Sequence, residues 1–212
     1  MYDKYVKRIF DIIIVIVLFL PFFIILSIIS VVIKIDSKGP VFFKQERLGR
    51  NGKVFKVYKF RTMIDDAESI GTGLSTYEGD PRVTRIGNIL RKTSLDEIAQ
   101  LINVLRGEMS LIGPRPPVPY HPRKYQEYDE KQRIRFSVRP GISGYAQIKG
   151  RNSLTWDERI IFDVQYVKKQ NIILDMKIVL LTFVKIFQRE DVHGPSRRNG
   201  RKDNLTEKKK EM

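Results

Sequence analysis

The sequence predicts a mostly helical α+β protein with an N-terminal membrane helix, spanning or re-entrant, a short β-hairpin and interfacial amphipathic helices. Three observations predict this fold. The run Ile12–Ile33 is almost purely apolar. Short β-prone runs flank Asn51-Gly52, a dipeptide that strongly favours a tight hairpin turn. Apolar residues recur at helical spacing in 95–105 and again in 172–189.

The composition narrows the chemistry that this chain can perform. Its 212 residues include 39 Lys and Arg against 24 Asp and Glu, a formal net charge of +15. Such an excess predicts a polyanionic partner, which is nucleic acid, an anionic membrane or a phosphorylated ligand. The absence of cysteine excludes disulfides, thiolate nucleophiles and Cys-ligated zinc. Any chemistry must use carboxylates, Lys, Arg, hydroxyls and an oxygen-bound metal such as Mg2+.

The apolar run has the length of a bilayer crossing and two features that favour re-entry. As a helix it reaches about 33 Å. Pro21 lies near its middle and kinks the helix, because proline lacks the backbone N–H. Both flanks are basic: Lys4, Lys7 and Arg8 precede the run, and Lys34, Lys38, Lys44, Arg47 and Arg50 follow it. The positive-inside rule assigns both flanks to the cytoplasm, so a helix that enters, bends at Pro21 and returns satisfies both features. A kinked spanning helix is the alternative.

The chain divides into three predicted regions. Residues 1–34 form the membrane helix, 35–190 a cytoplasmic membrane-associated domain, and 191–212 a basic disordered tail. The stretch Ile172–Arg189 closes the domain. Its polar residues fall within an arc of roughly 160°, which is typical of an interfacial amphipathic helix with cations on its polar face. An ordinary core helix is the alternative.

Other elements of the domain follow from local patterns. Helical spacing predicts a helix over Leu95–Leu105. We also expect a short helix at Asp65–Ser69, a polar helix over Tyr120–Phe136 and a helix over Thr155–Lys169. Short strand character is predicted near Tyr145–Lys149.

The first candidate site is the sequence Ser94-Leu95-Asp96-Glu97. Ser94 as N-cap with Glu97 three residues later is a capping box, and acidic residues suit a helix N-terminus. The same geometry also serves chemistry. Two adjacent carboxylates at a helix start can face one cleft, one as a metal ligand and the other as a nucleophile.

The second candidate site is Gly113–Pro117, which reads Gly-Pro-Arg-Pro-Pro. Its prolines restrain the direction of Arg115, and a guanidinium so held suits bidentate phosphate recognition. A surface loop in polyproline II form is the alternative. The third candidate is a set of cations that together could neutralise a diphosphate or attract anionic lipid. This set comprises Lys56, Lys59, Arg61, Arg82, Arg85, Arg91, Lys92, Arg135, Arg139, Lys149 and Arg151.

Several long motifs, in order, resemble the bacterial sugar transferases, the small monotopic phosphoglycosyl transferases that start glycoconjugate assembly. The motifs are KRIFDI (7–12), GPVFFKQERLGRNGKVFKVYKFRTM (39–63), TSLDEIAQLINVLRGEMSLIGPRP (93–116), RPGISGYAQIKGRN (139–152), FDVQYV (162–167) and LDMKI (174–178). The resemblance covers roughly residues 5 to 187. It also implies the re-entrant form of the kinked membrane helix, with Pro21 at its bend.

The resemblance implies transfer of a sugar-1-phosphate from a nucleotide sugar, a UDP-sugar, to polyprenyl phosphate. Asp96 is then the nucleophile that displaces UMP and forms an aspartyl-phosphosugar. Glu97, together with Asp96, is expected to hold Mg2+. Phosphate or substrate contacts are expected from Lys59, Arg61, Arg115, Arg139 and Asp163. Asp163 and Asp175 match acidic positions of the family, and the resemblance leaves open whether they take part in the reaction or support the structure. The surrounding cations predict a lowered pKa for Asp96.

The expected partners and location follow from the same resemblance. They are the nucleotide sugar, polyprenyl phosphate and anionic lipids at the cytoplasmic face of the bacterial inner membrane, with a homodimer as a further possibility. The main rival is a non-catalytic membrane protein that binds polyprenyl phosphate or anionic lipid. A nucleic-acid partner is not expected, because no motif combines clustered cations with stacking aromatic residues.

Overall fold

The computed structural model describes residues 2–73, 76–77, 79–150 and 153–188. The mostly helical α+β class and the hairpin are confirmed. The predicted tail, 191–212, lies outside the described residues. After a π-helical turn at Tyr2–Val6, the elements in chain order are α1 (Lys7–Asp36), β1 (Phe42–Leu48), β2 (Val54–Phe60), α2 (Arg85–Thr93), α3 (Leu101–Leu105), β3 (Ser110–Ile112), α4 (Glu130–Arg133), β4 (Gly141–Ser143), α5 (Tyr145–Gly150), α6 (Trp156–Lys169) and α7 (Ile172–Gln188). Short 3-10 helices lie at Arg50–Gly52, Ala67–Ser69, Leu95–Gln100, Tyr125–Glu127 and Ile134–Phe136.

The apolar helix α1 is bent. Among the described residues no single helix is long and apolar enough to cross a membrane. By length and composition only, the two halves Lys7–Val17 and Pro21–Asp36 pass that test together, with a bend of 64° between them. Pro21 lies inside the helix and cannot donate a backbone hydrogen bond, which accounts for the bend at this point. Much of the apolar surface of α1 is exposed, with Val17 70% and Ile35 81% accessible.

The hairpin forms as predicted. Strands β1 and β2 pair antiparallel from Phe42 opposite Phe60 to Leu48 opposite Val54. Asn51 and Gly52 adopt positive φ angles of 56° and 74° in the connection. Asn and Gly are the residues that tolerate this conformation best.

Strand β2 lies between two apolar clusters that attach α1 to the domain. Phe60 packs with Ile29 and Ile33 of α1, Leu90 of α2 and Ala99. Val57, on the same strand, packs with Val15 of α1, Val104 of α3 and Met109. Both halves of the bent helix are therefore anchored to the same strand.

The C-terminal helices pack around a second pair of strands. β3 and β4 form a parallel pair, and Ile112 of β3 packs with Tyr166 of α6 and Ile178 of α7. Thr155 begins α6 with a capping box to Glu158, so the predicted helix over Thr155–Lys169 is confirmed to within one residue.

Three local predictions are wrong or only partly right. Residues Tyr145–Lys149 lie in helix α5, not in a strand. Tyr120–Phe136 contains three short helical turns rather than one helix. Leu95–Leu105 starts as a 3-10 helix and becomes α-helical only at Leu101.

Helix α7 is amphipathic, and two residues of its predicted polar arc, Asp175 and Thr182, face the protein, whereas Lys177 of the same arc is exposed. Asp175 and Ile178 are buried, and the Thr182 hydroxyl lies 2.6 Å from that of Ser143. Most of the exposed surface of α7 is apolar and includes Ile173 and Leu180. A contiguous exposed apolar face of this kind is typical of a membrane or protein contact.

Candidate active site

The two adjacent acids lie on the first turn of the 3-10 helix Leu95–Gln100. Ser94 does not cap this turn through its side chain. It adopts a left-handed conformation, φ 57°, and ends helix α2. The predicted Ser94–Glu97 capping box is therefore wrong, because an N-cap residue needs extended backbone angles. Glu97 is thus free of a capping role.

Lys59 of β2 faces both carboxylates. Its Nζ atom lies 2.8 Å from Glu97 Oε1 and 3.9 Å from Asp96 Oδ2. Asn103, which is fully buried on α3, fixes this part of the strand. It accepts a hydrogen bond from Tyr58 N at 3.0 Å and donates one to Lys56 O at 2.8 Å. The position of Lys59 is therefore set by the core.

Arg115 approaches the same acid from the proline-rich loop. Its Nη2 atom lies 3.3 Å from Glu97 Oε1, the oxygen that Lys59 also contacts. The Asp96 side chain is 13% exposed, and those of Glu97 and Arg115 are 21% and 36% exposed. The four groups thus form a cluster that is recessed and reachable from solvent.

The two acids have opposite pKa shifts. Burial alone would raise the pKa of Glu97, but Lys59 and Arg115 outweigh it and lower this pKa to about 2. Burial raises the pKa of Asp96; Lys59 opposes this rise, and the charge on Glu97 adds to it. The prediction of a lowered pKa for Asp96 is therefore wrong. Glu97, and not Asp96, makes the short contacts with the two cations.

Three of the predicted substrate residues have partners within the protein. Arg61 is buried and donates to Ser37 O at 2.8 Å and Lys38 O at 2.6 Å, where the chain leaves α1. Arg139 donates to Asp3 O at 3.3 Å. Asp163 is buried against Arg135 at 2.6 Å. The structure thus brings Lys59 and Arg115 to the acid pair and gives Arg61, Arg139 and Asp163 contacts with other groups.

Arg47 lies next to the proline-rich loop of the site. Its charge was predicted only as part of the basic flank of the apolar run. The residue lies on β1 and donates to Pro116 O at 3.0 Å and to the Gln45 side chain. Burial lowers its pKa to about 10, and the nearby Arg115 charge adds to the effect. Side chains two residues apart on a strand share a face, so the strand prediction alone places Gln45 and Arg47 side by side.

The acid pair fits a magnesium ion only together with ligand oxygens. Among the described residues no three Asp, Glu, His or Cys side chains come together as a metal cluster. Magnesium is commonly held by one or two carboxylates plus substrate phosphates and water. Asp96 and Glu97 could supply that protein share. The cations on Glu97 suit the phosphates that would complete the coordination.

Comparison with known proteins assigns the chain to a family. The family model described as bacterial sugar transferase matches residues 2–189. The chain belongs to the bacterial sugar transferase family. The resemblance of the sequence motifs is thereby confirmed, and the match includes Asp96, Glu97, Lys59 and Arg115.

Several relatives of this sugar transferase are named proteins. The uncharacterized sugar transferase EpsL of Bacillus subtilis is 43% identical over 187 residues, 88% of this chain and 89% of EpsL. The galactosyl transferase CpsE of Streptococcus agalactiae is 47% identical over 155 residues, 68% of this chain and 34% of CpsE. The UDP-glucose:undecaprenyl-phosphate glucose-1-phosphate transferase of Escherichia coli is 40% identical over 191 residues, 87% of this chain and 41% of that enzyme. This chain therefore spans about a third of CpsE and two fifths of the E. coli enzyme, but most of EpsL.

Proposed function

We propose that this sugar transferase moves a sugar-1-phosphate from a UDP-sugar to a polyprenyl phosphate and releases UMP. The single observation that carries the proposal is the recessed cluster in which Lys59 and Arg115 hold Glu97 while Asp96 has no short contact of its own with either cation. Such a cluster offers one carboxylate for chemistry within a field that attracts phosphate. The names of the relatives support the same donor and acceptor classes.

Asp96 acts as the nucleophile in the proposed reaction. Its carboxylate oxygen attacks the β-phosphorus of the donor, the bond from that phosphorus to the bridging oxygen breaks, and UMP leaves with both electrons. The product on the enzyme is an aspartyl-phosphosugar. An oxygen of polyprenyl phosphate then attacks the same phosphorus and releases Asp96 as a carboxylate.

The neighbouring residues lower the repulsion between Asp96 and the donor. Lys59 and Arg115 offer cationic donors to the diphosphate. Glu97, together with Asp96, would hold Mg2+, which supplies charge neutralisation of the diphosphate when it is bound. Arg61, Arg139 and Asp163 have partners within the protein, so we assign them no direct contact with the donor.

The test is an assay of UMP release with purified protein in detergent, Mg2+ and undecaprenyl phosphate. UDP-glucose and UDP-galactose are the first donors because relatives carry those sugars in their names. Turnover that requires the lipid is the expected result. Saturable binding of undecaprenyl phosphate without UMP release from any UDP-sugar would instead favour the lipid-binding rival.

The cytoplasmic face of the bacterial inner membrane is the proposed location. Helix α1 dips into the bilayer and returns, with Pro21 at the bend, and the exposed apolar face of α7 lies on the membrane. The 64° bend and the exposed apolar side chains support this arrangement. The domain 35–190 would then lie wholly on one side, next to its lipid acceptor.

Single cysteines test this topology, because the natural chain has none. Tyr5→Cys and Lys38→Cys, on opposite sides of the apolar run, are both expected to escape an impermeant maleimide in intact spheroplasts and to react after lysis. Ile16→Cys, within the run, is the control that should stay protected in both. Labelling of either flank from outside would establish a spanning helix and contradict re-entry.

The pH dependence of turnover is expected to follow Asp96. The nucleophile must be ionised, so activity is lost as the pH falls through its raised pKa. Lys59→Met removes the main influence that lowers this pKa, so the acid limb of kcat/KM should move to higher pH. The kcat/KM of Lys59→Met at pH 7 should fall by about a hundredfold. The exposed Lys168→Met should change neither quantity, and an acid limb that stays in place in Lys59→Met would refute the assignment.

A further inference from the structure

The proline-rich loop Gly113–Pro117 is held through its carbonyl oxygens. Three of its five residues are prolines and have no backbone N–H, so the loop cannot pair within regular structure. Four consecutive carbonyls instead accept hydrogen bonds from outside: Pro114 O from Gly141 N at 3.0 Å, Arg115 O from Arg135 at 2.9 Å, Pro116 O from Arg47 at 3.0 Å and Pro117 O from Leu48 N at 2.9 Å.

The donor to Arg115 O is itself positioned by a buried carboxylate. Arg135 is 1% exposed, and its Nη2 atom donates both to Arg115 O and to Asp163 Oδ2, the latter at 2.6 Å. Its Nε atom donates to the same carboxylate oxygen at 3.1 Å. Asp163 on α6 therefore determines where this guanidinium meets the loop.

This contact acts on the residue that reaches the acid pair. Arg115 lies between two prolines, and the one that follows restricts its backbone to extended angles. With its carbonyl fixed by Arg135, its Cα has a defined position, and its side chain leaves the loop toward Glu97. A path of direct contacts thus runs from Asp163 through Arg135 and Arg115 to Glu97.

Stability alone does not explain a charged pair at this place. A buried ion pair is often no more stabilising than apolar residues of similar volume. An apolar pair could not donate to the Arg115 carbonyl, however. The planar guanidinium can hold a carboxylate and a carbonyl at once, which a lysine ammonium does with less geometric control.

We propose that Asp163 and Arg135 are positioning residues that set the place of Arg115 for the diphosphate of the donor. The inference rests on the proposed function and deepens it. Asp163 then acts without touching the substrate, in contrast to the contact that the sequence resemblance led us to expect. A displacement of a catalytic or binding group by about 1 Å can lower the rate by about a hundredfold. Loss of the Asp163–Arg135 pair is therefore expected to weaken donor binding, although the pair does not touch the donor.

A double-mutant cycle tests whether the pair acts through Arg115. Asp163→Asn, Arg115→Ala and the combined variant are compared for KM of the UDP-sugar, kcat, and the Kd of UDP measured by calorimetry. Asp163→Asn alone should raise KM and Kd by about tenfold or more, with a smaller change in kcat. In the Arg115→Ala background the same substitution should change either constant by less than about twofold, because its target side chain is gone.

Equal fold-changes in the two backgrounds would overturn the proposal, since the pair would then act independently of Arg115. Should Asp163→Asn fail to fold, Arg135→Lys carries the same cycle, because it keeps the charge and loses the second hydrogen bond. The matched control is Asp80→Asn, which disrupts another buried Arg–Asp pair, with Arg82, 2.7 Å apart and in a different loop. It should lower the melting temperature and leave KM and Kd within about twofold.

The failure of this inference is distinguishable from that of the proposed function. Wild-type turnover is measured first. Its absence with every UDP-sugar refutes the function. Turnover combined with equal fold-changes in the two backgrounds refutes only the positioning role.

Discussion

Asp96→Asn is expected to lower UMP release by at least about a thousandfold while UDP still binds. Asparagine has nearly the same size as aspartate, but its amide is a poor nucleophile and cannot form the acyl phosphate. Lys59, Arg115 and Glu97 keep their contacts, since neither short contact of Glu97 involves Asp96. The loss should therefore fall on the chemical step. Loss of one negative charge next to the diphosphate should, if anything, strengthen nucleotide binding.

The intermediate gives this prediction a direct readout. Without polyprenyl phosphate, wild-type protein should release one UMP per active site in a burst and gain the mass of one phosphosugar. Asp96→Asn should show neither, and the exposed Asp65→Asn should show both. A full burst in Asp96→Asn would remove Asp96 from the role of nucleophile. No burst in wild type, with normal turnover once lipid is present, would favour direct transfer in a ternary complex.

Glu97 provides the complementary comparison. Its pKa of about 2 keeps it charged at every physiological pH, so Glu97→Gln removes a permanent charge from between Lys59 and Arg115. We expect the variant to need more Mg2+ for half-maximal turnover, because half of the protein's share of the metal site is gone. Unlike Asp96→Asn, it should retain a measurable burst.

The elements that the sequence predicted correctly are determined by a few neighbouring residues. Asn51 and Gly52 tolerate positive φ angles, which a tight turn requires. Thr155 and Glu158 form the capping box that begins α6. Neither prediction depends on what packs against the element, so both could be made from a few adjacent residues.

Ser94 and Tyr145 show where local patterns fail. Ser94 and Glu97 have the spacing of a capping box, but Ser94 already ends α2 in a left-handed conformation. Tyr145–Lys149 has strand-like composition, yet these residues form helix α5. The residue before α5, Gly144, packs so tightly on Gly113 that a Cβ there would lie 2.1 Å from Gly113 O. The parallel strands β3 and β4, three residues each, leave no local pattern, because their partner is remote in sequence.

The candidate site was predicted as a set of residues but not as a geometry. The motifs named Asp96, Glu97, Lys59 and Arg115, and these four do come together. Which acid receives the cations depends on side-chain positions, so the direction of the Asp96 pKa shift could not be predicted. Charged residues are usually solvated, and nothing in the sequence marked Arg135 and Asp163 as a buried pair.

The buried cluster around Asp175 is expected to have the largest effect on stability. Asp175 on α7 accepts from the hydroxyls of Tyr2 and Tyr166, each at 2.7 Å, and from Lys7 at the start of α1. Burial and the Asp175 charge raise the pKa of Tyr166, so its hydroxyl stays a donor. Asp175→Leu leaves Lys7 buried and unpaired, which should lower the free energy of unfolding by about 3–5 kcal/mol. The measurement is urea unfolding in detergent followed by circular dichroism.

A second substitution separates the ion pair from simple packing. Adding Lys7→Met to Asp175→Leu removes the unpaired charge, so the double variant should recover part of the loss. It should not recover all of it, because the hydroxyls of Tyr2 and Tyr166 both lose Asp175 as acceptor. A buried hydroxyl left without a partner costs about 1–3 kcal/mol, and Tyr166 keeps only a longer contact with Ile112 O at 3.4 Å. The exposed pair Arg123–Asp157, 2.6 Å apart, is the control, and Asp157→Asn should cost less than about 1 kcal/mol. A double variant that is no more stable than Asp175→Leu alone would contradict the ion-pair account. Partial recovery would mean that this cluster fixes α1 to α7 through charge, and so joins the N-terminal helix to the C-terminal helix.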